Sequence, residues 1–324
     1  MKKALITGIA GFAGSHLAEY LLTKDIKVAG FYHPDHPTSN LDNCKERIEL
    51  FPADLTNFQS TKSIVSKIKP DYVFHLAASS SPAQSFINPA QTLENNLQSQ
   101  INLLEALVSI ESKARILIVG SAEEYGIVEG KDQVADEQTP LHPVSPYAVS
   151  KVAQDFLGYQ YFIHYGLNIV RVRPFNHIGP RQSTNFVVPA FASQIVQIEK
   201  KGSGKIKVGN LNTFRDFTDV RDVVRAYLLV LGKAVMGEVY NIGSGKLVRI
   251  EDILKTLLSL SPAKIEVIFD KTRLAPTEIK SITCNYSKLK QATGWKPEIP
   301  LKTTLFDTIN YERKRAAGSS DSKM

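Results

Sequence analysis

The chain has 324 residues, of which 43% are hydrophobic and 22% charged, an ordinary composition for a globular enzyme of one large domain or two smaller ones. No apolar run approaches the roughly 20 residues of a membrane span. Met1-Lys2-Lys3 leads directly into a strand rather than a secretory segment, so we expect a cytoplasmic protein without a membrane partner. Cys44 and Cys284 are too few and too far apart for a disulfide framework or a metal site.

The net charge of +7 is compatible with an anionic substrate such as a nucleotide sugar, although a modest excess of Lys and Arg is more often a solvated surface. We find no nucleic-acid-binding motif and expect no nucleic-acid partner. The lysine-rich stretch 200–207 surrounds Gly202-Ser203-Gly204, a pattern typical of a flexible hairpin tip.

The first thirty residues have the pattern of a dinucleotide-binding turn. A short apolar strand, 3–7, runs into the sequence GIAGFAG at 8–14, and a helix is predicted over 15–23. Three glycines at this spacing permit a tight turn, close approach of the backbone to a pyrophosphate, and close helix–strand packing. Because the turn follows a strand and precedes a helix, nucleotide binding is favoured over a merely structural turn.

The second predicted strand, 27–32, ends where the adenosine ribose of a dinucleotide would lie. An Asp or Glu there favours NAD, and a basic residue favours the 2′-phosphate of NADP. This chain instead has His33, Pro34 and Asp35. The choice between NADP(H) and NAD(H) therefore stays open.

Further strands are predicted over 49–55, 72–78 and 116–119, with a core-facing helix over 96–107. Within the fourth strand, His75 is interpreted as a buried core histidine rather than a catalyst. Strands that alternate with helices in this way predict an α/β fold with a doubly wound parallel sheet and right-handed crossovers.

The stretch from Val119 to Lys151 contains a complete proton-transfer set. Tyr147 and Lys151 are one helical turn apart, and an ammonium at that distance can lower the phenol pKa from its usual value near 10. Ser121 follows an apolar strand and could hydrogen-bond the substrate oxygen that Tyr147 protonates. The alternative is an ordinary Tyr and Lys on an exposed helix, because the bare four-residue pattern is common.

The sequences TGIAGFAG and YAVSK, the latter after SAEEYG, resemble the extended short-chain dehydrogenase/reductase superfamily along nearly the whole chain. That resemblance implies a Rossmann-type sheet, Tyr147 as proton donor, Lys151 on the nicotinamide ribose, and Ser121 orienting the carbonyl. The residues that it implies for cofactor binding are Gly8, Gly11, Phe12, Ala13, Gly14, His33, Asp54, Leu55, Leu76, Ala77, Ala78, Tyr147, Lys151 and Pro174.

A sixth predicted strand, 168–173, precedes four segments that narrow the family. FNHIGP, FVVPAFASQI, VGNLNTFRDFTDVRDVVRAY and GEVYNIGSG resemble the GDP-4-keto-6-deoxy-D-mannose reductases, sisters of the GDP-mannose 4,6-dehydratases. By that resemblance Asn176 and the backbone around Val187 meet the nucleotide sugar. Arg215 would pair with the diphosphate, whose geometry suits a guanidinium.

The segment 273–278 departs from the family pattern. Relatives often have an Arg on the diphosphate where this chain has Ala275, so Arg273 must substitute or one phosphate contact is missing. Glu278 keeps the acid that relatives place on a ribose. The departure affects nucleotide affinity rather than the reaction type.

The predicted domains are discontinuous in sequence. Residues 1–175 plus 214–246 are predicted to form the dinucleotide-binding domain, and 176–213 plus 247–315 a smaller α/β nucleotide-sugar lobe. Residues 316–324 are predicted to be disordered, and Trp295 to be packing rather than ligand. The family resemblance implies a homodimer formed through helices that include the Tyr147 helix.

The function predicted from this resemblance is NAD(P)H-dependent reduction of a nucleotide-linked 4-keto-6-deoxy sugar, converting GDP-4-keto-6-deoxy-D-mannose to GDP-D-rhamnose. The alternatives are a nucleotide-sugar epimerase or a GDP-mannose 4,6-dehydratase, for which Glu123 could supply the carboxylate that water elimination requires. A remote alternative is a non-enzymatic NAD(P)-sensing module, but such modules typically lose the Tyr or Lys that this chain keeps.

Overall fold

The computed structural model describes residues 1–128, 133–274 and 279–321, with side chains described as far as residue 318. The strands in this part of the chain are β1 (Lys3–Thr7), β2 (Lys27–Tyr32), β3 (Ile48–Pro52), β4 (Tyr72–His75), β5 (Arg115–Val119), β6 (Val134–Ala135), β7 (Asn168–Pro174), β8 (Asn176–Ile178), β9 (Ser203–Val208), β10 (Phe214–Asp219), β11 (Val239–Ile242), β12 (Leu247–Arg249), β13 (Lys264–Phe269) and β14 (Thr283–Cys284). The α-helices are α1 (Phe12–Leu22), α2 (Phe58–Ile68), α3 (Pro82–Ile87), α4 (Pro89–Ser109), α5 (Pro146–Tyr165), α6 (Val187–Glu199), α7 (Val220–Lys233), α8 (Ile250–Ser259), α9 (Ser287–Thr293) and α10 (Leu301–Asp321).

Seven parallel strands form the central sheet, in the order β11-β7-β5-β4-β1-β2-β3. Its middle strands are apolar and buried on both faces, as parallel strands covered by helices must be. In β1, Ala4, Leu5 and Ile6 are completely buried. The doubly wound parallel sheet predicted from the sequence is confirmed, and its strands all end at one edge, where the site lies.

Helices cover both faces of the sheet. One face packs against α1 and α7, and the other against α2 and α4. Trp295 is fully buried against the first face, and its indole N–H donates to the carbonyl of Asp222 at 3.0 Å. The prediction that Trp295 serves packing is confirmed.

A separate hydrophobic cluster joins α6, α8 and α10 with β9 and β10. Beside it lie a three-stranded sheet, β12-β10-β8, and the parallel pair β13-β9. This second cluster coincides with much of the predicted nucleotide-sugar lobe, whose exact boundaries stay a prediction.

One local prediction was wrong. The stretch 200–207 is not a hairpin tip, because α6 ends at Glu199, Gly202 turns the chain at φ 76°, and β9 pairs in parallel with β13. Helix α10 continues to Asp321 and residues 322–324 lie outside the described residues, so the disorder expected for 316–324 stays a prediction. Lys200 Nζ donates to the carbonyl of Ala316 at 2.6 Å, and Ala316 packs against the second cluster.

Strand β4 ends at His75, three residues earlier than the sequence predicted. The cause is Thr7, whose hydroxyl accepts the N–H groups of both Leu76 and Ala77 at 3.1 Å. Those N–H groups are therefore not free for a strand ladder. Within the described residues, no helix combines the length and the apolar character needed to span a membrane.

Candidate active site

The glycine-rich turn between β1 and α1 leaves no room for side chains at two positions. Gly8 has φ 68°, and a Cβ there would lie 3.0 Å from the Cα of Ala77. A Cβ on Gly14 would lie 2.3 Å from the carbonyl oxygen of Gly8, so only glycine allows the helix to pack on the turn. Gly11 precedes α1 and has no side chain to cap it. The helix amino terminus therefore suits the pyrophosphate of a dinucleotide.

The end of β4 is held against this turn. Besides accepting from Leu76 and Ala77, the Thr7 hydroxyl lies 2.9 Å from His75 Nδ1. Burial, with a smaller contribution from the charge of Lys151, lowers the pKa of His75 to about 3. His75 is thus neutral and accepts from Thr7. The contacts support its interpretation as a core residue that helps to fix the segment Leu76–Ala78 beside the turn.

The end of β2 brings two imidazole rings together. The ring centroids of His33 and His36 are 5.1 Å apart, and the Nδ1 atom of His33 lies 3.7 Å from Asp35. The carboxyl end of the neighbouring strand β3 adjoins β2, because Ala53 N donates to the Tyr32 carbonyl at 3.0 Å. Asp54 and Leu55 follow directly, on the side of the site expected for adenosine.

Ser121, Tyr147 and Lys151 converge at the end of β5. Ser145 caps α5 by accepting from Ala148 N at 3.1 Å, which places Tyr147 in the first turn of that helix. The Ser121 side chain lies close enough to the Tyr147 hydroxyl to act on the pKa of that phenol. Lys151 Nζ donates to the carbonyl of Val119 at 2.9 Å and lies 6.0 Å from the centroid of the Tyr147 ring.

The electrostatics of this trio differ from the expectation that Lys151 lowers the pKa of Tyr147. Burial raises the pKa of Tyr147, the Ser121 hydrogen bond opposes that rise, and the charges of Glu123 and Glu124 add to it. Burial also lowers the pKa of Lys151 to about 8. Burial, which the expectation left out, has the largest influence on the pKa of Tyr147 in the protein alone. Tyr147 is consequently protonated at neutral pH, as a proton donor must be.

The substrate side of the site is built from β7, β8 and β10. Pro174 is buried at the end of β7, and the exposed Asn176 pairs with Phe217 of β10. Two residues earlier on β10, Arg215 donates to the carbonyl of Ile279 at 2.7 Å. Burial raises the pKa of Glu123, and the charge of Arg215 acts in the opposite direction. Glu123 therefore lies within electrostatic range of both Tyr147 and Arg215.

This arrangement can hold a dinucleotide and donate a proton to a substrate oxygen beside it. Among the described residues, no group of three His, Cys, Asp or Glu side chains is placed to hold a metal ion. Residues 5–308 match the family model for GDP-mannose 4,6 dehydratase. The chain belongs to this GDP-mannose 4,6-dehydratase family.

Curated members of the family resemble this chain along nearly their whole length. The GDP-6-deoxy-D-mannose reductase of Pseudomonas aeruginosa is 34% identical over 307 residues, which are 94% of this chain and 95% of that protein. The GDP-mannose 4,6-dehydratase of Yersinia enterocolitica is 30% identical, over 98% of this chain and 95% of that protein.

Solved structures show the same fold. RMD from Pseudomonas aeruginosa complexed with NADPH has a TM-score of 0.84 and 32% identity, over 97% of this chain and 100% of that one. A UDP-glucose 4-epimerase from Thermotoga maritima with UDP-glucose has a TM-score of 0.88 and 27% identity, over 97% and 99%. The similarity covers both the sheet and the substrate lobe.

Among the described residues, two that the family pattern suggests for substrate binding, Val187 and Arg273, have no contact with the Tyr147 end of the site. Val187 is the first residue of α6 and is 37% exposed. Arg273 lies in a short 3₁₀ helix, and its Nε atom is 3.8 Å from Asp270. Its carbonyl oxygen lies so close to Gly209 that a Cβ on that glycine would be 2.6 Å away. Ala275 and Glu278 lie outside the described residues. The roles of Val187, Arg273 and Glu278 stay predictions.

The sequence analysis missed a buried charge cluster beneath Ser121, formed by Glu124, Asp155, Arg171 and Arg173. Arg171 donates to Asp155 at 2.5 Å, and Arg173 donates to the other oxygen of Asp155 at 2.7 Å. A sequence signal was available, because two arginines in an otherwise apolar strand require buried partners.

The analysis also missed a second cluster, the Arg181 clamp, formed by His16, Glu19, Asn40 and Arg181. Arg181 makes two 2.7 Å hydrogen bonds to Glu19, one of 2.8 Å to His16 Nδ1 and one of 3.0 Å to the Asn40 carbonyl. Asn40 donates to the carbonyl of Ala10 in the glycine-rich turn at 2.9 Å. The clamp therefore ties the segment after β8 to the cofactor turn, through contacts too distant in sequence to be predicted.

Proposed function

We propose that the protein reduces the 4-keto group of a nucleotide-linked 4-keto-6-deoxy sugar, converting GDP-4-keto-6-deoxy-D-mannose to GDP-D-rhamnose with NADPH or NADH. The observation that carries this proposal is the convergence of Ser121, Tyr147 and Lys151 at the end of β5, with Lys151 Nζ 6.0 Å from the Tyr147 ring centroid. The trio lies next to a turn that leaves room only for glycine at positions 8 and 14. The 34% identity to a GDP-6-deoxy-D-mannose reductase supports the choice of substrate.

The residues of the trio have separate tasks in this reaction. The nicotinamide cofactor supplies the hydride for C4 when it is bound. Ser121 and Tyr147 donate hydrogen bonds to the carbonyl oxygen, and the Tyr147 proton moves to that oxygen as negative charge develops on it. The ammonium of Lys151, near the Tyr147 ring, stabilises the phenolate that remains.

A second candidate, dehydration of GDP-mannose, is favoured by one observation. Glu123 is partly buried at the site, and burial raises its pKa, while the charge of Arg215 opposes that rise. A raised pKa favours proton exchange by a carboxyl. Water elimination at C5 and C6 requires such a group. In a reductase, Glu123 would exchange no proton. Its role would be limited to a hydrogen bond or a contact with the sugar.

Product analysis with purified substrates distinguishes the two reactions. GDP-4-keto-6-deoxymannose with reduced cofactor should consume that cofactor one for one, measured by absorbance at the nicotinamide band. GDP-mannose with oxidised cofactor should give no keto product. Conversion of GDP-mannose to the 4-keto sugar without net change in cofactor would replace the reductase proposal with the dehydratase.

The Glu123→Gln variant tests the role of the carboxylate, with the exposed Glu266→Gln as its matched control. For a reductase, both variants should keep much of the wild-type turnover, because Tyr147 supplies the proton. Loss of turnover confined to Glu123→Gln, together with activity on GDP-mannose in the wild type, would indicate the dehydratase.

We further propose a homodimer formed through α5. Val149, Phe156 and Ile163 are 43%, 55% and 63% exposed, and their spacing of seven residues places them on one helix face. An exposed apolar stripe of this kind is typical of an interface. Light scattering should show a dimer for the wild type and a monomer for Phe156→Glu. The control Phe306→Glu alters an equally exposed side chain on α10 and should stay dimeric. A monomeric wild type would contradict this proposal.

We also propose a cytoplasmic location. Cys44 and Cys284 are both buried and unpaired, as is common where thiols are kept reduced. Fractionation of cells that express the protein would test this, and recovery in an extracytoplasmic fraction would contradict it.

A further inference from the structure

Glu124 lies completely buried behind the catalytic serine. Its Oε1 atom accepts the backbone N–H of Ser121 at 2.6 Å, which completes a capping box at the start of the 3₁₀ helix Ala122–Tyr125. Gly120 makes this contact possible, because a Cβ there would lie 2.3 Å from the same oxygen. The backbone that carries the Ser121 hydroxyl is therefore held directly by the Glu124 carboxyl.

The second oxygen of Glu124 has a different environment. Oε2 lies 3.0 Å from Arg173 Nε, but the single hydrogen on that nitrogen is directed at Asp155, 2.7 Å away. None of the described residues donates a hydrogen bond to Glu124 Oε2. A buried carboxylate oxygen without a donor is costly, whereas a protonated oxygen becomes a donor itself.

Asp155 is the natural acceptor for that proton. Arg171 and Arg173 each donate to one of its oxygens, so Asp155 is the carboxylate that both guanidinium groups hold in the charged form. Glu124 Oε2 and Asp155 Oδ2 lie 3.0 Å and 2.7 Å from the same atom, Arg173 Nε. The charge of Asp155 and hydrogen bonding between the two carboxyl groups both raise the pKa of Glu124. Two carboxyl groups that share one buried site do not both ionise readily.

The charge left on the two arginines is partly compensated by aromatic rings. The guanidinium carbon of Arg173 lies 5.2 Å from the Tyr125 ring centroid, and that of Arg171 lies 5.0 Å from the Tyr159 centroid. Arg171 also donates to the carbonyl of Gly237 at 2.8 Å. The cluster can therefore hold two arginines against one ionised carboxylate.

We propose that Glu124 is a positioning residue that carries a proton at neutral pH, donates it in a hydrogen bond to Asp155, and holds Ser121 in place for the reduction. The positioning part rests on the proposed function. The titratable and charged groups facing Glu124 are Glu123 and Tyr125 on its own helix, Tyr147, Lys151 and Asp155 on α5, and Arg171 and Arg173 on β7. An ionised Glu124 contributes to the raised pKa of Tyr147, and a proton on Glu124 removes that contribution.

Two variants separate the hydrogen bonds from the volume of the side chain. Glu124→Gln keeps both bonds, because its amide oxygen accepts from Ser121 and its NH₂ donates to Asp155. Glu124→Met has similar volume and makes neither. We expect turnover within about three-fold of wild type for Glu124→Gln and a loss of at least about ten-fold for Glu124→Met, since small displacements of catalytic groups cost this much.

The pH profile and the infrared spectrum provide readouts that a purely structural role would not move. We expect Glu124→Gln to leave the pH dependence of turnover unshifted, and to remove an infrared band of a protonated carboxylic acid that wild type shows at pH 7. A wild-type spectrum without this band, a shift of the profile to lower pH, or Glu124→Gln as impaired as Glu124→Met would each overturn the proposal.

The infrared measurement needs neither substrate nor the methionine variant, so it decides the protonation state even if Glu124→Met does not fold. A wild-type enzyme inactive on the keto sugar would count against the proposed function instead. In that case the presence of the band at pH 7 would still support a protonated Glu124, and its absence would still contradict it.

Discussion

The Arg181 clamp and the buried charge cluster both set guanidinium groups against carboxyl groups, but they differ in carboxyl number and in exposure. In the clamp, one arginine faces one carboxylate, Glu19, whose side chain is 32% exposed. Burial raises the pKa of Glu19, but the hydrogen bonds and charge of Arg181, with smaller contributions from His16 and Asn43, outweigh burial and lower that pKa. In the cluster, burial and the charge of Asp155 raise the pKa of Glu124 well above its usual value, against the opposing charge of Arg173.

The difference shows that an arginine does not by itself decide whether a neighbouring acid is ionised. A half-exposed acid with an arginine of its own stays charged, whereas a fully buried acid that must share its arginine does not. The two clusters also serve different parts of the site. The clamp adjoins the glycine-rich turn, and the cluster supports the backbone of Ser121. We expect variants at the two ends to have separable effects.

The largest effect is expected for Tyr147→Phe, which removes the proton donor at the catalytic end. Turnover should fall by at least ~10²-fold, or about 2.7 kcal/mol, the usual scale for a general acid. Nicotinamide binding, measured by fluorescence titration, should be nearly unchanged because the glycine-rich turn is intact. Near-wild-type turnover would remove Tyr147 from the mechanism.

The next effect is expected for Arg181→Met in the clamp. The change leaves Glu19 and His16 Nδ1 without their donor, so the free energy of unfolding should fall by about 2 kcal/mol, as for other charged hydrogen bonds. Denaturant titration measures this, and the Kd of NADPH should rise.

Turnover at saturating cofactor should change by less than about three-fold in Arg181→Met, because the clamp is remote from the reacting groups. The control Arg181→Lys should recover only part of the stability, since an ammonium cannot donate two parallel bonds to Glu19. If Arg181→Met lost as much turnover as Tyr147→Phe, the clamp and the Tyr147 end of the site would not have separable functions.

A smaller and pH-dependent effect should appear in Glu19→Gln. Since the folded-state pKa of Glu19 is lowered, its stabilisation is present above the unfolded pKa and is lost as pH falls through the folded pKa. The stability difference between wild type and Glu19→Gln should therefore shrink in acid. Denaturant titrations that extend from neutral pH to well below the ordinary Glu pKa of about 4.3 test this.

Glu124→Gln should show the opposite sign. The folded-state pKa of Glu124 is raised, so the wild type loses stability relative to Glu124→Gln as pH rises above the unfolded pKa, with a slope of at most about 1.4 kcal/mol per pH unit. If the stability difference between wild type and variant changed with pH in the same direction for Glu19→Gln and Glu124→Gln, the two acids would not differ in protonation at neutral pH.

The smallest effect concerns His33, beside the adenosine end of the site. We expect NADPH to be accepted, because no acid stands at the end of β2. His33→Ala should weaken NADPH relative to NADH by no more than about five-fold, since an exposed charge contact is worth about 1 kcal/mol or less. The exposed His164→Ala is the control. A wild-type preference for NADH above ~100-fold would contradict this prediction.

Much of the fold and part of the site could be predicted because their signals are local. The apolar run 3–7 predicted β1 to the residue, and the glycines that follow it occupy backbone positions without space for a Cβ. The four-residue spacing placed Tyr147 and Lys151 on one helix, and the structure brings both to the Ser121 end of β5. Contacts between distant segments could not be predicted in this way, such as the Thr7 hydroxyl that ends β4 from 69 residues away.

Glu123 and Glu124 are neighbours in sequence, but their surroundings differ in a way that only the tertiary structure determines. The sequence by itself determined a parallel α/β sheet, a dinucleotide turn and a Ser–Tyr–Lys set, since each depends on spacing within a few residues. From the sequence, Glu123 is a candidate carboxylate for water elimination, whereas its neighbour Glu124 has no assigned role. The short 3₁₀ helix points successive side chains in different directions. Only the packed structure decides that Glu123 comes within range of Arg215, whereas Glu124 lies buried among the arginines of β7.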